Sequence, residues 1–358
     1  MATKNSYLGV DIGVSGIKVV ELEEQHGRPA LLTYGFNNRP AGEFGKKLID
    51  DPAAAGALLK KICAKAQTAG KRVITSLPIS AVFSAVINVP TAPEKELRPA
   101  VELAAAKLSP WPIADIVLDW KVIGGGKGDK EKSTPVLITG AEKSLIKKYL
   151  DVFKIAELEI MSLETEAFAL QRSLAGGDMG AAMILDLGGE RTNIVIVSGG
   201  VPMVSRSIGL GGKLFTTELA KRLGISEGEA EEFKLDAEKL ELALGPSSAT
   251  VGSESNALNE MYGTLLRPVT NEIRYALELY TNQDTVGAAK IEKIILTGGS
   301  CLLPGLAAYM SDSFKIRAYV GDPWSRTIYP EDLRPLLDKI GPRFAVALGL
   351  AMRSIAKK

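Results

Sequence analysis

The sequence predicts a mixed α/β protein built from two related halves, and three observations carry that reading. Apolar runs of strand length alternate with helix-like stretches along all 358 residues. The opening YLGVDIGVSGIKVVEL is echoed by MILDLGGERTNIVIV at 183–197: in each, an apolar strand ends at an Asp-x-Gly turn and a β-rich strand leaves it. The composition, 46% hydrophobic and 24% charged, can sustain substantial cores, and at roughly 150 residues per domain the length allows two to three compact units.

Taken in order, residues 7–36 read as three strands, around 8–10, 17–22 and 30–36, separated by Gly-rich and Gly-Arg-Pro turns. A helix follows over 51–69, with Pro52 in its first turn and Leu58, Leu59 and Ile62 as its packing stripe, and then a strand at 73–77. Residues 79–155 read as an inserted module: strand 81–89, helix 93–108, strands 116–123 and 135–140, and a helix near 142–154. The Gly-rich run 124–133 is expected to be an exposed hairpin connection. A strand near 158–162 and a helix over 164–174 return the chain to the first half and connect it to the second.

The second half, 181–340, opens with the echoed strands and a further strand through VPMVSRSIG. Helices near 212–223 and 227–240 come next, then a polar connection at 245–253 and a long helical pattern from about 256 to 281 that Pro268 can kink or divide. Strand 291–299, the helix-like LLPGLAAYMSDSF and an apolar C-terminal helix within 341–358 complete the pattern.

Composition excludes several function classes. Forty-three basic residues against 42 acidic ones leave a net charge of +1, so the chain has no bulk field for nucleic acid or anionic lipid. Two cysteines, Cys63 and Cys301, are too few for a disulfide framework and fit a reducing cytosol. The single His26 stands in a turn-like segment, so no histidine metal cluster or Ser-His-Asp arrangement can form. No uncharged apolar run approaches the roughly 18–20 residues of a spanning helix, and the N-terminus lacks a signal-peptide pattern.

The chemistry concentrates in glycine turns. In Asp11-Ile-Gly13-Val-Ser15-Gly16-Ile-Lys18, the glycines allow backbone N–H groups to face phosphate oxygens, Ser15 can donate, and Lys18 offsets charge. Asp11 would approach Mg2+ through its water shell, since a bare carboxylate beside phosphate is repulsive. Alone, this turn reads equally as an ordinary hairpin. In the second turn Gly188 and Gly189 again admit phosphate, Thr192 can donate, and Asp186 can organise hydrated Mg2+. Two such turns in matching halves point to a nucleotide far more specifically than one.

Gly298, Gly299 and Ser300 form a third turn that can pass under adenine or ribose, or simply join strand to helix. Glu231 and Lys234 offer base or ribose contacts, although their spacing also suits a solvent-facing i,i+3 pair. Glu166 can orient a water for attack on a γ-phosphate, or serve as a cap or hinge carboxylate. No P-loop or Rossmann fingerprint is present in the required context.

These motifs, in this order, closely resemble the PilM family of type IV pilus assembly proteins, within the actin-like ATPase superfamily that also contains the cell-division protein FtsA. The resemblance rests on YLGVDIGVSGIKVVEL, SPWPIADIVLDW, VLITGAEKSLIKKYLDVF, ETEAFAL, MILDLGGERTNIVIV, GLGGKLFTTELAKRL, NEIRYALELY and IILTGGSCLLPGL. It implies an actin-like duplicated fold with ATP or ADP and Mg2+ in an interdomain cleft. Asp11, Gly13, Ser15, Gly16 and Lys18 match the first phosphate turn and Asp186, Gly188, Gly189 and Thr192 the second. Gly298, Gly299 and Ser300 match the adenosine-side turn, with Glu231 and Lys234 as weaker contacts, while Gly341 and Ala345 fall in the second connection between the halves.

The resemblance further implies that 79–155 is the extra subdomain of PilM and FtsA proteins. A groove beside it would take the cytoplasmic N-terminal peptide of PilN. That contact would hold the protein peripherally at the cytoplasmic face of the inner membrane, linking the PilN–PilO complex to the pilus motor and platform. The alternatives are an FtsA-like division or type II secretion scaffold, and a slow actin-like ATPase that self-associates into polymers.

Overall fold

A computed structural model describes residues 6–39, 47–91, 93–123, 133–236, 238–240, 257–283 and 288–355. The expected connection at 245–253 lies outside the described residues, as does that at 124–133 except for Ser133, which already belongs to a strand. The first lobe is a five-stranded sheet. Strands β1 (Ser6–Gly13), β2 (Gly16–Gln25) and β3 (Arg28–Phe36) form an antiparallel meander, and β4 (Arg72–Leu77) and a later strand lie parallel to β1. His26 and Gly27 both take positive φ and close the β2–β3 hairpin at the surface, as the turn residues predict. Helix α1 (Pro52–Ala66) starts on Pro52, is capped by Asp51 through the Ala54 N–H at 3.0 Å, and stops where Gln67 turns left-handed.

Next come β5 (Phe83–Pro90), α2 (Glu94–Leu108), β6 (Ile116–Val122) and β7 (Ser133–Glu142), which make a separate three-stranded antiparallel sheet in the order β5-β7-β6. One face packs on α2 through Ile87, Val89, Val101 and Ile138. On the other, Leu137 and Ile123 join the core of the second lobe. Helix α3 (Lys143–Ile155) leaves this sheet and packs beside α1, placing Tyr149, Val152 and Phe153 in the first lobe's core. Strand β8 (Glu159–Thr165) then completes the order β3-β2-β1-β4-β8.

Sequence reasoning starts the following helix at 164, whereas α4 is Glu166–Leu170. The reason is the parallel ladder, which pairs Leu77 with Thr165 and keeps the strand extended to that point. Residues Gln171–Ala175 widen into a π turn, a feature concentrated at functional sites.

The second lobe repeats the first strand for strand: β9 (Ala181–Leu187), β10 (Thr192–Ser198), β11 (Val201–Ile208), β12 (Ile291–Thr297) and β13 (Arg317–Val320), in the order β11-β10-β9-β12-β13. Between β11 and β12 lie α5 (Gly212–Leu223), α6 (Glu227–Phe233), α7 (Ala257–Leu265) and α8 (Arg267–Thr281). The long pattern over 256–281 is divided where Pro268 enters the first turn of α8. The pattern over 227–240 also breaks: α6 ends at Phe233, and Asp236 caps Lys239 to open another turn. After α9 (Leu306–Phe314) and α10 (Arg334–Ile340), the apolar α11 (Ala345–Met352) is buried throughout.

Helices α4 and α11 lie between the two sheets. Ala167, Ala169, Leu170, Val346 and Leu350 share one core with Ile74 of the first lobe and Ile184 and Val195 of the second. Glycine permits the packing: a Cβ on Gly349 would sit 2.0 Å from the Ala169 carbonyl oxygen, and one on Gly9 2.0 Å from that of Ala347. No helix among the described residues is long and apolar enough to cross a membrane.

Candidate functional site

The β1–β2 turn carries the first predicted group of residues. Asp11 and Lys18 face one another across the ladder and form a buried ion pair at 3.0 Å, so Lys18 is engaged by Asp11. Asn37 closes the base of the turn, accepting the Ile17 N–H at 2.8 Å. Gly16 is required there, since at φ 135° its Cβ would lie 2.1 Å from the Asn37 carbonyl oxygen. Arg39 takes the turn's carbonyls, its Nη1 donating to Val14 and its backbone N–H to Ser15. Among the described residues, the Val14 and Ser15 N–H groups meet no acceptor. Successive N–H groups left in this way could donate to an anion beside Gly13 and Ser15.

The matching β9–β10 turn sits on the start of α5. Gly188 and Gly189 offer their carbonyls to the Gly212 and Lys213 N–H groups at 2.9 and 2.8 Å, and Ser300 Oγ donates to Gly188 at 3.3 Å. Thr192 is buried and donates to the Leu210 carbonyl at 2.8 Å, bracing the turn against the 209–212 segment. Gly211 allows this approach, because a Cβ there would fall 2.7 Å from the Arg191 nitrogen and the Gly188 oxygen. Sequence reasoning missed Gly211 and Gly212. Their signal was a glycine pair immediately before a helix, in GLGGK at 209–213.

Gly212 also meets the third group. Its Cβ would lie 2.0 Å from Ser300 Oγ and 3.2 Å from Lys234 Nζ. The Lys234 ammonium is buried and donates to Glu231 at 2.7 Å and Thr216 at 3.1 Å, while half of the Glu231 side chain stays exposed. The pair is therefore an inward-turned ammonium with a carboxylate at the rim, and the solvent-facing option does not hold for Lys234. Gly298, at φ 84°, abuts the second turn: a Cβ there would be 2.5 Å from Asp186 Oδ1.

Beside Gly299 runs Arg343, also missed from sequence. It lies over Phe36 at 5.6 Å and donates to Asn38 Oδ1 at 2.5 Å, joining the two lobes. Burial lowers its pKa, and Glu231 opposes that shift.

Glu166 lies between the two turns. Its Oε2 accepts the Ile79 N–H at 3.0 Å and the Asn193 Nδ2–H at 3.1 Å, and the same Asn193 amide donates to Asp186 at 3.2 Å. Protein surrounds Glu166 although it keeps some solvent contact. Burial, then the charges of Asp11 and Asp186, push its pKa up to about 8. Burial and Asp11 raise Asp186 to about 6, against the opposing pull of Lys18 and Asn193.

Three carboxylates within electrostatic reach, with Lys18 as their nearby cation, form a site that a divalent cation would stabilise. Among the described residues no three acidic or metal-ligating side chains converge closely enough to hold an ion directly. The donor set therefore fits hydrated Mg2+ held through Asp11 and Asp186, with phosphate oxygens on the turn N–H groups.

A second concavity, about 930 Å³, opens between the three-stranded sheet and the β8–α4 junction. Val117, Trp120 and Thr139 line one wall, and Leu163, Phe168 and the π turn the other. Its floor is cationic. Glu164 accepts both Arg172 Nη2 bonds at 2.8 and 2.9 Å and pairs with Arg353 at 3.2 Å. Arg326 donates to the Ser173 carbonyl at 2.8 Å and meets no carboxylate among the described residues.

The chain is similar over 99% of its length to the solved PilM–PilN type IV pilus biogenesis complex, covering 99% of that chain at 27% identity and a TM-score of 0.79. MreB5 of Spiroplasma citri bound to ADP shares the fold at 15% identity, with a TM-score of 0.50 and coverage of 99% of this chain and 98% of that one. Cell division protein FtsA of Streptococcus pneumoniae matches 88% of this chain and 75% of its own at 20% identity. The match to FtsA of Borreliella burgdorferi, 23% identical, covers 56% of this chain and spans 48% of the relative's length. These likenesses make the architecture a two-lobed, actin-like fold with duplicated sheets. The profile of the type IV pilus assembly protein PilM family matches residues 9–355, and the chain belongs to that family.

Proposed function

We propose that this protein is a nucleotide-responsive scaffold of type IV pilus assembly that receives an extended peptide from PilN in the 930 Å³ groove. The observation that carries the reading is the full-length likeness to a PilM–PilN complex, together with a groove at the junction of the first lobe and the three-stranded sheet. In this reading the sheet is the extra subdomain, and its apolar wall takes the peptide's aliphatic side chains. The guanidinium of Arg326, bonded only to backbone carbonyls among the described residues, caps peptide carbonyls. The partner holds the protein at the cytoplasmic face of the inner membrane, where it links the PilN–PilO complex to the motor and platform.

ATP–Mg2+ belongs between the lobes, where the cation supplies charge neutralisation at the phosphates. Asp11 and Asp186 orient its water shell, Gly13, Ser15 and Gly188 admit the phosphates, and Gly298–Ser300 with Glu231 and Lys234 take the adenosine side. Lobe closure then alters the groove. Slow ATP turnover is a second reading, favoured by Glu166, whose environment suits a group that takes a proton from water near neutral pH.

The test is fluorescence anisotropy with a labelled PilN N-terminal peptide and its scrambled control. Saturable binding of the native sequence alone, weakened about tenfold by Arg326→Ala, is the expected result. Equal binding of both peptides, or of neither, refutes the groove assignment.

A further inference from the structure

The duplicated sheets place Asn193 where the first lobe has Lys18. Asp11 pairs with Lys18 across β1 and β2, and Asp186 pairs with Asn193 across β9 and β10, in corresponding positions of the two ladders. The first lobe thus answers its cleft aspartate with an ammonium at 3.0 Å, and the second answers with a neutral amide at 3.2 Å. The amide is nevertheless held in one orientation. Asn193 lies opposite Ser207 on β11, and its Oδ1 accepts the Ser207 hydroxyl at 2.7 Å. Ser207 Oγ in turn accepts from Arg191 Nε at 2.9 Å, while Arg191 Nη2 donates to the Ser207 carbonyl at 3.3 Å.

With its oxygen committed to Ser207, Asn193 has only its NH2 group to present, and this bridges Asp186 of the second lobe and Glu166 on the connecting helix. Asn193 is itself buried. A side chain of this size with a carbonyl on one end and two donors on the other satisfies all three neighbours without adding charge. A neutral donor leaves Asp186 without a paired cation of its own, whereas a lysine at the same place would neutralise it internally.

We propose that Asn193 is a positioning residue. Oriented by the Arg191–Ser207 pair, it aligns Asp186 and Glu166 as carboxyl groups that no cation of the second lobe pairs with among the described residues, and so makes nucleotide binding depend on the divalent cation. This rests on the nucleotide reading above. Lys18 already pairs with the first lobe's aspartate, so Asp186 carries the larger share of the cation requirement.

The experiment is calorimetric titration of the full chain with ATP, in Mg2+ and in EDTA, with thermal melts of each variant. In the wild type, Mg2+ tightens ATP about tenfold or more. Asn193→Ala lowers that enhancement to about threefold, with the loss confined to the Mg2+ arm. Asn193→Lys, which copies the first lobe, removes the enhancement by supplying the charge internally. Ser207→Ala gives an intermediate value and Ser207→Thr restores it, a rescue that a general packing role would not produce. Should Asn193→Ala fail to fold, the Ser207 pair supplies the outcome. Wild-type enhancement in Asn193→Lys, or in Ser207→Ala, overturns the proposal while leaving nucleotide binding intact. Absence of ATP binding by the wild type in both arms overturns the nucleotide reading and the proposal with it.

Discussion

Replacing Glu166 by Gln stabilises the nucleotide-free protein at alkaline pH. The folded carboxyl has a pKa of about 8 against an ordinary 4.5, so between those values the folded state holds a proton that the unfolded chain has released. Stability therefore falls as pH rises through this window, and the loss is complete above pH 8. At roughly 1.4 kcal/mol per unit the window bounds the loss near 5 kcal/mol. Residual solvent contact and sharing of the effect with Asp186 bring the expected value to about 2–3 kcal/mol. Gln preserves the geometry, because its amide oxygen can accept from Ile79 and Asn193 as the carboxylate does. Urea unfolding in EDTA from pH 5 to 9 gives both curves. The wild-type midpoint declines towards pH 8 and the Glu166→Gln midpoint declines less, and parallel curves would refute the assigned burial and charge coupling.

Three further substitutions probe the neighbouring parts. Gly298→Ala forces a left-handed backbone on a residue with a Cβ aimed at Asp186, costing more than about 2 kcal/mol in urea unfolding; an unchanged midpoint would contradict the close approach. Glu231→Ala strips the carboxylate from the buried Lys234 ammonium, which among the described residues keeps only Thr216. A loss of about 1–2 kcal/mol is expected after allowing for the exposure of Glu231, with Glu231→Gln milder. Gly176→Ala, at φ 58°, places a methyl 1.5 Å from Arg326 Nη1. It should displace that guanidinium and weaken PilN peptide binding as much as Arg326→Ala does, and wild-type affinity would separate Arg326 from the groove.

Local signals and tertiary ones differed in how far they could be read. Both Asp-x-Gly turns were legible because strand, turn and return strand lie within about fifteen residues, and the same periodicity exposed the duplication. The helix start at 164 was misplaced because the parallel pairing of Thr165 with Leu77 is invisible in either segment alone. Lys234 and Glu231 have the spacing of an ordinary surface pair. What buries the ammonium is the arrival of Gly212 and Ser300 from two other elements. Arg343 gave no signal, since its partners Phe36 and Asn38 lie at the opposite end of the chain. Asn193 stood inside a quoted motif, yet its role emerges only when three strands set Asp186, Asn193 and Ser207 in one row.

The crossing of Gly349 over Ala169 fixes how closely the two connecting helices approach. Backbone lies directly on backbone there, and a Cβ on Gly349 would force the helices apart. Within about one turn of that crossing, Arg172 and Arg353 both pair with Glu164 of the first lobe, and Arg172 also donates to the Gly349 carbonyl itself. The same contacts that join the two connecting helices thus also set the charged floor of the groove, so a methyl at Gly349 would disturb Arg172 and Glu164 at the groove as well as the seam between the lobes.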